Sequence, residues 1–108
     1  MTTDWIALEN QYYAQTVRRQ PLVLVKGKGT YVWDVDGKQY LDFTAGWAVT
    51  NLGHCHPAMV EAIQKQAATL IQTSNQFYTL PQLQLAQTLV DNSCLDKVFF
   101  GNSGAEAI

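Results

Sequence analysis

The chain has 108 residues, 47% hydrophobic and 15% charged, with a formal charge of −2. That composition excludes a disordered tail and supplies the apolar content of a globular core, although a single domain of this size buries only a modest fraction of its surface. Lysine and arginine are scattered without a basic stripe, which speaks against a nucleic-acid partner, and no segment reads as a membrane span. The polar start, with Asp4 and Glu9 and no charged-then-apolar leader, argues for a cytoplasmic protein. Cys55 and Cys94 are too few for a disulfide framework and read as reduced packing residues.

Thr3 to Val17 carries Trp5, Leu8 and Tyr12 at helical spacing, behind a cap at Thr3 and with Asp4 in the first turn, predicting a short amphipathic helix broken at Gln20 and Pro21. Leu22 to Val25 is β-forming, and Lys26-Gly27-Lys28-Gly29 reads as a turn. Thr30 to Val35 and Lys38 to Phe43 flank Asp36-Gly37, which predicts a two-residue type I′ hairpin with Trp33 facing Tyr40 and Val32 facing Leu41. Thr44 to Leu52 has no clear period and reads as a loop. It leads to a helix near Pro57 with an apolar stripe of Val60, Ile63, Ala67, Leu70 and Ile71. A second helix starts at Thr79, where Thr79-x-x-Gln82 makes a capping box; it buries Leu83, Ala86, Leu89 and Val90 and ends at Asn92-Ser93. Val98 to Phe100 reads as a short buried strand, Gly101-Asn102 as a turn and Ser103 to Ala107 as a helix start. The change near residue 72, from antiparallel hairpins to helix, strand and helix, is how an α/β layered domain begins, so the chain reads as the truncated opening of a longer fold.

At the last junction the free N–H groups of a first helical turn, the positive end of its dipole and the Ser103 hydroxyl converge, which suits a phosphate, and Gly104 permits close approach. The spacing excludes both the nucleotide P-loop and the dinucleotide glycine fingerprint. On these residues alone an ordinary strand–turn–helix junction stays open. Glu106 reads as a first-turn acid complementing the dipole. His54-Cys55-His56 offers zinc-type donors, but the side chains of His-x-His in a tight turn diverge and no fourth ligand lies near, so no metal site is expected. Lys26, Lys28 and Lys38 at turns, with Lys65 and Lys97 at element ends, read as solvated charges. Trp33 and Tyr40 read as hairpin core.

Three stretches together resemble, in order and spacing, the class III (ω-amino) pyridoxal-phosphate aminotransferases: GKGTYVWDVDGKQYLDFTAGWAV (27–49), NLGHCHPAMVEAI (51–63) with TSNQFYT (73–79), and FFGNSGAEA (99–107). The fold this implies is α/β, the N-terminal part of a fold-type I transferase, with a small antiparallel sheet and helices leading into the large mixed-sheet domain. Residues 1–72 would belong to the small domain and 73–108 would open the large one. The activity it implies moves an amino group from N-acetylornithine, or another ω-amino donor such as ornithine or 4-aminobutyrate, to 2-oxoglutarate within a homodimer, with pyridoxal 5′-phosphate as cofactor. The resemblance sets the cofactor phosphate on the backbone N–H groups of Gly104 and Ala105, with Ser103 beside them. It puts Trp47 on a loop shaping the substrate pocket and Tyr78 near the same cleft or the subunit boundary, and it gives GHCHP a structural role at a helix entrance. No catalytic residue falls in this chain, since the Schiff-base lysine and the acid for the pyridine nitrogen are implied beyond Ile108. Gly101, where a side chain such as Cys is more usual, and Trp47, where a smaller aliphatic residue is, depart from the pattern. A stand-alone, non-catalytic interaction module is the alternative from another class.

Overall fold

In the computed structural model, which describes residues 4–108, the chain opens with helix α1 (Trp5–Tyr12). Asp4 is its cap and not a first-turn acid: Oδ1 accepts from the N–H groups of Ile6 and Ala7 at 3.1 and 3.0 Å, satisfying two donors the helix cannot. The cap expected at Thr3 lies outside the described residues. The helix ends at Tyr12, well short of Val17, and Tyr13 is already extended. It buries no side chain, so nothing offsets the entropy of further turns.

Three antiparallel strands follow in the order β1 (Leu24–Lys28), β2 (Tyr31–Asp34) and β3 (Gln39–Leu41). Lys26 and Lys28 are therefore strand residues and not turn residues; with Gly27 they pair with Trp33, Tyr31 and Val32, and the reversal falls at Gly29 (φ 58) and Thr30. The second hairpin is also offset by one residue from the type I′ register. Val32 faces Tyr40, Trp33 faces Gln39 and Tyr31 faces Leu41. The connection takes three residues, Val35-Asp36-Gly37, with Gly37 at φ 82, because the preceding Asp34 anchors it. Asp34 Oδ1 accepts from the N–H groups of Asp36 and Lys38 at 3.0 and 2.8 Å, and Oδ2 accepts the Tyr40 hydroxyl at 2.7 Å.

Side chains alternate across a strand, so Val32, Asp34 and Tyr40 share one face. Val32 and Asp34, 8% and 6% exposed, are the buried residues among those described. Trp33 and Tyr40 thus do not form one core. Trp33 lies on the opposite face, tilted against Tyr31 at 6.4 Å, with the Lys26 ammonium 4.7 Å from its ring centre. Lys38 sits 5.0 Å from the Tyr40 ring centre. These two lysines lean on aromatic faces and are not simply solvated charges.

Helix α3 (Pro57–Ala67) has Pro57 in its first turn and His56 as its cap, with Nδ1 accepting from Ala58 N–H at 3.3 Å. It ends before Leu70 and Ile71. Thr69 closes it, donating its hydroxyl to the Lys65 carbonyl at 2.8 Å and its N–H to that of Gln66 at 3.0 Å. The chain divides into two compact units, one running up to Thr69 and the other from Leu70 to Ile108. The second holds α4 (Leu80–Asp91), capped at Thr79 but without the side-chain bond of a capping box, and closed by the Asn92 amide on the Thr88 carbonyl at 2.8 Å. The expected stripe of α4 is not buried: Leu83 and Leu89 are exposed, Ala86 and Val90 half-buried. Val98 to Phe100 is not a strand either, because no other segment of that unit offers a β edge to pair with. Cys55 and Cys94 are exposed and not packed. The chain leaves 10263 Å² accessible, whereas compact domains the size of the two units would expose about 7,000 Å².

The Tyr40 hydroxyl is the largest cause holding the Asp34 carboxyl below its usual range. Because folding favours the ionised form, this stabilisation is complete above the ordinary carboxylate pKa and is lost as pH falls through the depressed folded value. Tyr40→Phe is expected to lower the thermal midpoint of the full-length protein at neutral pH, with a difference from wild type that shrinks on acidification through the carboxylate range. Scanning calorimetry across pH checks this.

Candidate functional site

Immediately after β3, Asp42 closes the sheet by donating its N–H to the Thr30 carbonyl at 2.8 Å. Its carboxylate organises the next stretch. Oδ1 accepts from the Thr44 N–H and hydroxyl, both at 2.8 Å, and from the Ala45 N–H at 2.9 Å; Oδ2 pairs with His54 Nε2 at 2.7 Å. His54 first, then these local donors, holds the Asp42 carboxyl well below the usual carboxylate range. An ionised carboxylate only accepts, so His54 Nε2 carries the proton.

The segment read as a loop without period is an ordered turn, α2 (Ala45–Ala48), wound left-handed: Ala45, Gly46, Trp47 and Ala48 have φ of 47°, 62°, 63° and 61°. Ala48 N–H donates to the Thr44 carbonyl at 3.0 Å, and Val49 and Thr50 both donate to that of Ala45 at 2.9 Å. Glycine tolerates this conformation. Each of the other three residues holds it at a cost of roughly 1–2 kcal/mol. The turn projects Trp47 outward, 96% exposed.

His54 is fixed from behind. Its backbone exchanges two hydrogen bonds with Gly29, at 2.9 and 2.8 Å, just past β1. A Cβ at Gly27 would lie 2.7 Å from His54 Cβ and Cγ, and one at Gly53 (φ 86) only 3.1 Å from the Gly29 backbone. Glycines at 27 and 53 therefore allow two chain segments to meet at the imidazole. Cys55, at φ 52, turns the chain so that His56 caps α3 while His54 faces Asp42. The two imidazoles do separate structural work. Among the described residues no three His, Cys, Asp or Glu side chains gather as a metal site.

In the second unit Tyr78 directly precedes the α4 cap and is 94% exposed. Ser103, the cap position of the short α5 (Gly104–Ala107), makes no side-chain cap bond, and a Cβ at Gly104 would meet nothing within 4 Å. Glu106 turns back to accept from the Asn102 N–H, so it closes the Gly101-Asn102 turn beyond complementing the dipole. Ser103, Gly104 and Ala105 thus stand consecutively at the start of α5, where the first-turn N–H groups have no partner within the helix. Trp47 belongs to the first unit, Tyr78 and residues 103–105 to the second.

Sequence reasoning missed Asp42 and its bond to His54. The local half carried a signal, since an Asp two residues before a Thr is apt to accept the following N–H and hydroxyl groups. The partner twelve residues on carried none. Gly27→Ala is expected to push His54 off Asp42 and destabilise the full-length protein by about 1–3 kcal/mol, as overpacking does; urea unfolding measures it.

The family model described as Aminotransferase class-III matches residues 12–108. Acetylornithine aminotransferase of Methanocaldococcus jannaschii is 62% identical over 104 residues, which make up 96% of this chain and 26% of that protein. The crystal structure of acetylornithine aminotransferase from Elizabethkingia anophelis superposes with a TM-score of 0.92 at 42% identity, covering 95% of this chain and 27% of that one. The ornithine aminotransferase of Toxoplasma gondii, whose structure shows partial occupancy of PLP at the active site, superposes with a TM-score of 0.92 at 36% identity, covering 96% of this chain and 24% of that one. The chain thus spans about a quarter of the length of the relatives it matches, and it has the fold of the corresponding part of these aminotransferases.

Proposed function

This chain belongs to the class-III aminotransferases, and we propose that the complete protein transfers the amino group of N-acetylornithine to 2-oxoglutarate, as in arginine biosynthesis, with pyridoxal 5′-phosphate as cofactor. The observation that carries this reading is the 62% identity, along 96% of the chain, to an acetylornithine aminotransferase. Ornithine is the second donor to consider, supported by the TM-score of 0.92 to the Toxoplasma gondii enzyme.

The residues at the 103–105 junction fit the cofactor phosphate. The Ser103 hydroxyl is not spent on a cap, and the absent Cβ of Gly104 leaves room for an anion against the first-turn N–H groups of Gly104 and Ala105. When bound, the cofactor supplies an electron sink and carries the amino group between the two substrates. Residues of this chain hold its phosphate, and Trp47 lies on the wall of the donor pocket. The lysine that carries the cofactor and the acid that pairs with its ring nitrogen belong to the remaining length of the protein. Residues 1–72 form the N-terminal segment of the small domain and 73–108 open the large one. The apolar stripes that α3 and α4 leave exposed are covered in the complete protein by the rest of that chain and by a second subunit, in a cytoplasmic homodimer. Among the described residues no helix is long and apolar enough to cross a membrane.

Turnover tests the reading. The complete protein should convert N-acetylornithine with 2-oxoglutarate faster than ornithine, and the 108-residue chain with added cofactor should not turn over at all. No turnover by the complete protein would refute it. Gly104→Val should weaken cofactor binding about tenfold or more, because each charge-assisted hydrogen bond lost costs roughly 1.5–3 kcal/mol. Absorbance titration of the apo-protein measures this, with Cys55→Ser as the variant expected to stay at the wild-type affinity.

A further inference from the structure

We propose that Asp42 and His54 are positioning residues for donor selection: together they hold α2 in its left-handed form and thereby aim Trp47 at the amino donor. The selection part rests on the reading of Trp47 as a pocket wall.

A left-handed turn containing two alanines and a tryptophan does not persist on local preference, so something outside it must hold it. The contacts show what does. Ala45 is gripped at both ends, its N–H by Asp42 Oδ1 and its carbonyl by the N–H groups of Val49 and Thr50. The Asp42 carboxylate cannot swivel, because Oδ2 is taken by His54 Nε2. The imidazole cannot follow either, since its backbone is bonded to Gly29 and its ring fills the space a Gly27 side chain would occupy. The geometry of β1 is thus passed through His54 and Asp42 to Ala45, two residues from Trp47. At 96% exposure the indole has almost no packing of its own in this chain, so the backbone sets its direction. Relaxing the turn re-aims it. An indole can attract a bare ammonium too, but the planar acyl group and methylene chain of N-acetylornithine lie against more of its face, so the larger loss should fall on the acylated donor.

The test uses the complete holoenzyme with Asp42→Asn, His54→Gln, His54→Ala and Trp47→Ala, alone and with Asp42→Asn combined with Trp47→Ala. kcat/KM is measured for N-acetylornithine and for ornithine. Fluorescence anisotropy and acrylamide quenching are read in a background where Trp47 is the single tryptophan. Asp42→Asn should lower kcat/KM for N-acetylornithine about tenfold or more, chiefly through KM, and lower that for ornithine less. Added to Trp47→Ala it should cost little further. His54→Gln keeps an N–H donor for Asp42 and should retain more activity than His54→Ala. The Trp47 emission should become more mobile in Asp42→Asn and His54→Ala. Additive losses in the double variant, or equal losses for both donors, overturn the selection role, as does a Trp47→Ala enzyme with wild-type donor kinetics. Unchanged Trp47 emission overturns the positioning role, and it does so whether or not the protein proves to be an aminotransferase.

Discussion

The ionised carboxylate of Asp42 is the constraint on which the first unit's organisation turns. While the backbone N–H of Asp42 ends the sheet, its carboxylate starts the left-handed turn and receives the imidazole that ties the next segment to β1. Four hydrogen bonds converge on one side chain, so no single partner explains its place. Removing the charge would leave the N–H groups of Thr44 and Ala45 with a weaker acceptor at the point where the backbone carries most strain.

The rest of the chain is arranged around very little interior. Val32 and Asp34 are the buried residues among those described, on the sheet face that also carries Tyr40. The helices are capped and closed by polar contacts at their ends, while their apolar stripes stay in solvent. Local hydrogen bonding therefore specifies the elements, and burial of their faces is left to whatever packs on them. Exposed apolar surface of this extent marks faces suited to contact with other protein.

Residues whose conformations are decided locally were legible in the sequence. Pro57 and Thr79 mark helix starts because a fixed φ and the entry to a first turn need little from elsewhere. The Asp-Gly pair marked a hairpin, yet its register was misread by one residue, because the side chain of Asp34 and the hydroxyl of Tyr40 chose a three-residue connection. The left-handed turn was illegible for the opposite reason. Ala45, Trp47 and Ala48 all prefer other conformations, and what overrides them is the carboxylate of Asp42, itself held by a histidine twelve residues further on. Val98 to Phe100 has strand character but no edge to pair with. Of the candidate site, the short helix that begins after Ser103 could be read from its residues, whereas the partnership of Asp42 with His54 exists only once the glycines at 27 and 53 let two distant segments meet.

The most direct test of this account is the ionisation of Asp42 itself, followed by 13C NMR of its side-chain carboxyl in the complete protein as the pH is lowered. The carboxylate should remain ionised well below the ordinary aspartate pKa of about 3.9, and in a His54→Ala variant the titration should move up toward that value. A wild-type midpoint already at the ordinary value would contradict it, for then neither the imidazole nor the turn is bound to Asp42 strongly enough to hold the other in place.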